Sequence, residues 1–219
     1  KNTANLFIEK SDNGYKLNSL DNVLNKLNFT DKEKERVNDY IDQLKYFGLT
    51  PYRLKEDSKY TKFIEEIKDE AIKNYKEYKI LPSITIAQAI LESSWGESDL
   101  AQIYNNLFGI KADSSWKGEY VTLETFEFYD TKIEDKFRVY SNKNQSIKDH
   151  AKFLVDNQRY KKYGVFEAKT YIEQAYALQN AGYSTAEDNS GQKRYAKDLI
   201  ELIRQYNLQL IDSEIKISD

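Results

Sequence analysis

A chain of 219 residues with 40% hydrophobic and 14% aromatic side chains can build one large domain, or one medium domain with an extension, around a real core. Its net charge of -3 and pI near 5.5, with no basic stripe, argue against nucleic acid as a partner. With no cysteine and one histidine, His150, disulfides, thiolate nucleophiles and multi-histidine zinc sites are excluded, and a Ser-His-Asp triad is disfavoured.

Chemistry is therefore left to carboxylates, tyrosines, amides and hydroxyls, with no metal or cofactor expected. No run has the apolar length of a membrane span. The chain opens at Lys1 and holds no methionine, which reads as a mature form or an excised fragment, so that any signal peptide would lie outside these residues.

Residues 1 to 18 are polar and weakly patterned, a tail or a packed extension. From Ser19 the pattern turns helical, with Leu20, Val23, Leu24 and Leu27 on one face. Thr30 and Glu33 form a capping box ahead of a second helix carrying Val37, Tyr40, Ile41, Leu44 and Phe47, with Gly48 as its stop. "LTPYRLKEDS" around Pro51 reads as a linker, so the expected organisation is an N-terminal helical extension over 1–57 and a second domain over 58–219. A third helix uses Tyr60, Phe63, Ile64, Ile67, Ala71 and Tyr75. At "YKILPS", Pro82 disfavours helix at Leu81, and Ser83 is placed to cap the helix that follows.

That fourth helix, "ITIAQAILESSWGES", is apolar nearly all round until Glu92. After Gly96 the texture is loop-rich, with Gly109 and Gly118 as punctuation. "EYVTLETFEFYDTKIEDKFRVYS" alternates and reads as a β-hairpin turning near Asp130, Thr131 and Lys132. Helical patterns return at 146–157, 170–180 and 191–206. The expected fold is α+β, mainly α: a helical core with one small β-hairpin lobe.

Glu92 is the residue that asks for an explanation. On a helix it shares a face with Gln88, Ala89, Trp95 and Gly96. Ala89 and Trp95 would desolvate it, and the carbonyls of a helix C-terminus repel negative charge, so both effects raise its pKa. A carboxyl kept protonated near neutrality suits a general acid in glycosidic cleavage. A surface glutamate at a fraying end is the plain alternative. His150, beside Ile147, Ala151 and Leu154, reads as a structural or surface histidine.

"LPSITIAQAILESSWGES", "NNLFGIKA", "SWKG", "KFRVYS" and "NAGYST", in that order, resemble the glycoside hydrolase family 73 endo-β-N-acetylglucosaminidases. The similarity runs from about Tyr60 to Tyr206. A single Glu-Ser pair is a weak signal, whereas five motifs in order are specific. Residues 1 to 57 carry no such resemblance, and their role stays open: packing beside a cleft, covering it, or self-association.

The resemblance implies a lysozyme-like core with a β-lobe and a secreted, autolysin-type enzyme of the cell wall acting on peptidoglycan glycan strands. It makes residues 58–219 a catalytic domain, Glu92 the catalytic acid and Glu127, in "TFEF", the second acid. Glu124 and Glu119 are rivals for that role, and a solvent-facing glutamate is the plain reading of Glu127. By the resemblance Tyr183 of "NAGYST" lies near the cleft and is a third catalytic candidate, a phenol to orient the acetamido group or a water or to polarise developing charge; closing the core is the alternative. Where many members place an aspartate after the threonine, this chain has Ala186, which leaves any role for an acid there in doubt. Asn106 is a candidate sugar ligand, and Trp95, Trp116, Tyr120 and Tyr129 are candidate stacking platforms or packing residues.

Inverting, retaining and substrate-assisted routes all remain open at this stage. A muramidase or lytic transglycosylase on a similar core is the rival activity. A non-catalytic wall-binding module is the reading from another class.

Overall fold

Helix is what the pattern asks for over most of the chain, and helix is what the computed structural model shows across the described residues, 3–11, 14–46, 54, 57–127, 131–188 and 190–215. The chain divides into two units, Lys1–Thr50 and Pro51–Asp219.

In the first unit a 3-10 turn, Thr3–Phe7, leads into strands β1 (Ile8–Ser11) and β2 (Gly14–Leu17), paired antiparallel with Ile8 opposite Leu17. Of the two expectations for this stretch, a tail or a packed extension, the hairpin departs from a plain tail. Strands of four residues are too short to declare a period. Helix α1 (Leu20–Lys26) starts at Ser19, whose hydroxyl accepts the Asn22 N–H, and it buries Val23 and Leu24. Helix α2 (Asp31–Tyr46) opens on the capping box: Thr30 N–H donates to Glu33 at 2.8 Å and Glu33 N–H to Thr30 Oγ1 at 3.4 Å. Phe47 and Gly48, its expected end, lie outside the described residues.

The second unit is organised around α4 (Pro82–Ser93), against which α3 (Lys59–Tyr78), α8 (Tyr171–Asn180), α9 (Tyr195–Gln205) and α10 (Gln209–Ile215) pack. Every residue from Pro82 to Ile90 is buried, because Ile84, Ile86, Ala87, Ala89 and Ile90 leave the helix no polar face. Each fully buried isoleucine contributes about 2 kcal/mol by burial.

The start of α4 differs from expectation. Pro82, with its fixed φ and no N–H to satisfy, takes the first helical position. Ser83 is thus inside the helix rather than its cap. Its N–H and hydroxyl both donate to the Asp212 carboxylate of α10, at 2.9 and 2.6 Å, so an acid distant in sequence serves the helix end.

Strands β3 (Tyr120–Glu127) and β4 (Thr131–Arg138) form the hairpin lobe, in register from Tyr120 opposite Arg138 to Glu127 opposite Thr131. Thr131 and Lys132, expected in the turn, already belong to β4. Asp130 lies outside the described residues. Helices α5 (Asp99–Tyr104), α6 (Lys143–Asp156) and α7 (Gln158–Lys162) complete the unit. Helix α9 begins at Tyr195, four residues after the pattern suggested.

Candidate active site

The stretch after Glu92 is a clamp on the end of α4. Ser94, Trp95 and Gly96 have φ of 51°, 64° and 74°, so the helix stops sharply. The buried Ser93 hydroxyl donates to Ala89 O and accepts the Gly96 N–H at 2.7 Å. A Cβ at Gly96 would stand 2.7 Å from the Phe63 ring, which explains glycine there. Trp95 turns into the core, its ring 4.6 Å from Tyr60 and 4.7 Å from Tyr206. It is therefore neither a sugar platform nor the group that desolvates Glu92: the left-handed backbone takes it off the helical face that sequence spacing assumed.

Glu92 opens on a cavity of about 390 Å³ walled by Phe108, Asp113, Phe153, Arg159, Tyr160 and Tyr183, among others. Burial raises the pKa of its carboxyl, and a hydrogen bond from Tyr195 Oη to Oε1, 3.1 Å long, pulls it down less strongly. Gln88 Nε2, one turn back on α4, donates to the same Tyr195 oxygen at 2.9 Å and orients it. Tyr195 is the first residue of α9 and is buried. Its approach to Glu92 spans 103 residues, and no local signal carries that.

Tyr183 reaches the cavity wall because Gly182, at φ 74°, ends α8 and Tyr183 N–H closes back on Leu178 O at 3.0 Å. Its ring stacks on Tyr195 at 5.2 Å and 21°. Burial and the charge of Glu92 push both phenols well above their ordinary pKa, so they act as neutral hydroxyls.

Asp113, which the sequence reading passed over, lines the same cavity. Hydrogen bonds from Ser115 hold its carboxyl below the usual range. One wall thus has an acid pushed toward protonation and another held ionised, the division of labour acid–base chemistry uses.

A second chamber of about 260 Å³ shares Asp113 and Phe153 with the first and is walled by Trp116, Arg138, Asp149 and Lys152. Trp116 indole N–H donates to Glu119 O at 2.9 Å, and the Arg138 guanidinium lies 4.5 Å over its ring. Gly118 lets the indole fold back, since a Cβ there would meet it at 2.5 Å, which accounts for "SWKG". Arg138 also bonds Asp149 at 2.7 Å and so ties β4 to α6.

Asn106 is 1% exposed, and its amide is consumed by Ile110 N–H, Ile110 O and Arg138 O. It closes a loop and has no atoms left for sugar. Tyr120 is 53% exposed with Lys136 over its ring, and lines neither cavity. Tyr129 and the Glu127 side chain lie outside the described residues. Glu124 is exposed and stands opposite Glu134 in the register. Among the described residues no cluster of acids and histidine forms a metal site.

A helical core with a short hairpin lobe and a protonation-prone acid at the end of a buried helix defines the lysozyme-like class of glycan hydrolases. The glucosaminidase family, described as mannosyl-glycoprotein endo-beta-N-acetylglucosaminidase, matches residues 68–208, and the chain belongs to it. It is the glycoside hydrolase family 73 domain that the motifs resemble.

The exo-glucosaminidase LytG of Bacillus subtilis (strain 168) is 44% identical over 156 residues, 68% of this chain and 52% of that protein. A probable N-acetylmuramidase of Lactococcus lactis subsp. cremoris (strain MG1363) is 35% identical over 68% of this chain and 34% of its own length. The catalytic domain of the Listeria monocytogenes autolysin Auto superposes with a TM-score of 0.61 and 34% identity, covering 78% of this chain and 96% of that domain. The chain thus spans about half or less of the length of these two curated relatives.

Proposed function

We propose that this chain is a secreted peptidoglycan hydrolase of the endo-β-N-acetylglucosaminidase type. It cuts the β-1,4 bond on the reducing side of N-acetylglucosamine in glycan strands of the cell wall. Glu92 is the general acid: it protonates the leaving glycosidic oxygen as positive charge develops on the sugar ring. The observation that supports this is the Glu92 carboxyl at the cavity wall: the residue is exposed, yet the protein packed around its carboxyl raises its pKa, and Tyr195 holds it.

Glu127 is the partner acid, by its place in the family motif. It serves as base for water in an inverting reaction if the two carboxyls stand roughly 6.5–9.5 Å apart, or as nucleophile at about 5–5.5 Å. In a substrate-assisted route it steers the 2-acetamido group instead. Asp113, which lines the same cavity with its carboxyl held below the usual range, is the rival for that role. Glu127→Gln and Asp113→Asn, assayed side by side, separate them: the partner's variant loses turnover and the other keeps it. Tyr183 presents a neutral phenol to the bound sugar, and Trp116 offers its ring to a neighbouring one.

A relative named as a probable N-acetylmuramidase favours one alternative, cleavage on the other side of the disaccharide. Mass spectrometry of fragments released from purified cell wall decides it. Reducing-end N-acetylglucosamine is expected, on fragments longer than one sugar. Reducing-end muramic acid would assign a muramidase, anhydro-muramic ends a transglycosylase, single terminal sugars an exo-enzyme, and no fragments a binding module.

A further inference from the structure

His150 is the chain's only histidine, 1% exposed on the inner side of α6. Its ring lies flat on Phe108, with centroids 3.8 Å apart and planes 10° apart, so the imidazole plane is fixed. Nε2 stands 3.1 Å from Tyr183 Oη, and Nδ1 has no hydrogen-bond partner among the described residues. Burial lowers its pKa to about 3, so the ring is neutral through the neutral range.

A neutral imidazole has one N–H and one lone pair, and which nitrogen carries the proton decides what Tyr183 does. With the proton on Nδ1, a buried N–H would have no acceptor, and Tyr183 would spend its own proton on Nε2. With the proton on Nε2, the ring supplies the hydrogen bond and the orphan is a lone pair. A buried N–H without an acceptor is the rarer of the two orphans in folded proteins.

We propose that His150 is a positioning residue for Tyr183: its Nε2–H donates to the phenol oxygen, which frees the phenol proton for an acceptor on the side of the Glu92 cavity. Tyr183 is then committed as a donor there and has no route for passing a proton back to the imidazole. Its hydroxyl suits a carbonyl oxygen of the substrate, such as that of an acetamido group. That last step rests on reading the cavity as the sugar-binding site; the hydrogen bond itself does not.

One histidine makes the test unambiguous. In the whole chain labelled with ¹⁵N-histidine, a long-range ¹H–¹⁵N spectrum at neutral pH reads which ring nitrogen bears the proton. A protonated Nε2 and bare Nδ1 are expected, and the reverse assignment overturns the proposal. The functional arm compares His150→Leu with His150→Gln, whose amide nitrogen can stand where Nε2 does.

In folded protein, the leucine variant is expected to lose about tenfold in kcat, the worth of one neutral hydrogen bond, with KM little changed. Glutamine is expected to restore most of it, and in a Tyr183→Phe background the leucine change should cost nothing more. A loss that persists in that background, or a glutamine variant as poor as leucine, overturns the proposal. Should the leucine variant fail to fold, the spectrum of the wild-type chain decides. A wild-type chain that cleaves no glycan counts against the reading of the cavity, and the tautomer result stands without it.

Discussion

The end of α4 and the β3–β4 hairpin both carry exposed glutamates, and they differ in what stands behind the carboxyl. Glu92 follows a run of buried helix, beyond it Ser93, Trp95 and Gly96 fix the turn, and its carboxyl meets protein on enough sides for burial to raise its pKa. Glu124 is exposed too, on a two-stranded ribbon opposite Glu134, and lines neither cavity. The base of the hairpin is tied to α6 through Arg138 and Asp149, so the ribbon can supply a wall beside the cavity. The lesson is a division of roles: the group whose protonation state matters sits on the core helix.

The largest effect expected from breaking this contrast is that of Glu92→Gln. Turnover on cell wall should fall by a factor on the order of 10²–10⁴, the usual contribution of a positioned acid. Stability should move the other way. A raised folded pKa means that the favourable protonated form is fully present below the unfolded pKa and is lost as pH rises through the folded value. Glutamine suffers no such loss, so the variant's Tm should exceed wild type above that value and converge with it in acid.

Asn106→Ala strands buried loop groups, and should cost about 3 kcal/mol in chemical denaturation, roughly 1 kcal/mol for each of three lost hydrogen bonds. A variant of normal stability with a raised KM would instead return Asn106 to sugar binding. Gly96→Ala should cost about 1–3 kcal/mol for its left-handed backbone, with the Phe63 contact adding to it. The smallest effect is on the hairpin: Glu124→Gln should stay within about 0.5 kcal/mol of wild type and keep its turnover. Loss of turnover there would make Glu124 the second acid.

Much of this architecture could be read from local pattern. The apolar run of α4, the capping box at Thr30 and Glu33, the stripe of α3 and the alternation of the hairpin all express a period or a cap, and they appear where those signals stand. What escaped depends on contacts distant in sequence or on backbone off the regular path. Spacing put Trp95 beside Glu92 because it extended the helix three residues too far. Asp212 took the capping role assigned to Ser83, and Tyr195 met Glu92, through tertiary contacts alone. Helices α5, α7 and α10, of 5 to 7 residues, are too short to show a face.

The site followed the same rule. Motif and helix end pointed to Glu92 and Tyr183, which line the candidate cavity, and helical spacing set Gln88 on the face of Glu92, whereas Tyr195 and Asp113 were brought there only by the fold.

The most direct test of the central claim is the titration of the Glu92 carboxyl itself. In ¹³C-glutamate-labelled protein its signal is assigned by its absence from Glu92→Gln and followed against pH. A midpoint above the ordinary glutamate value is predicted, moving higher still in Tyr195→Phe because that variant removes the hydrogen bond that favours the charge. A midpoint at or below the ordinary value would contradict the claim that the end of α4 raises the pKa of this acid.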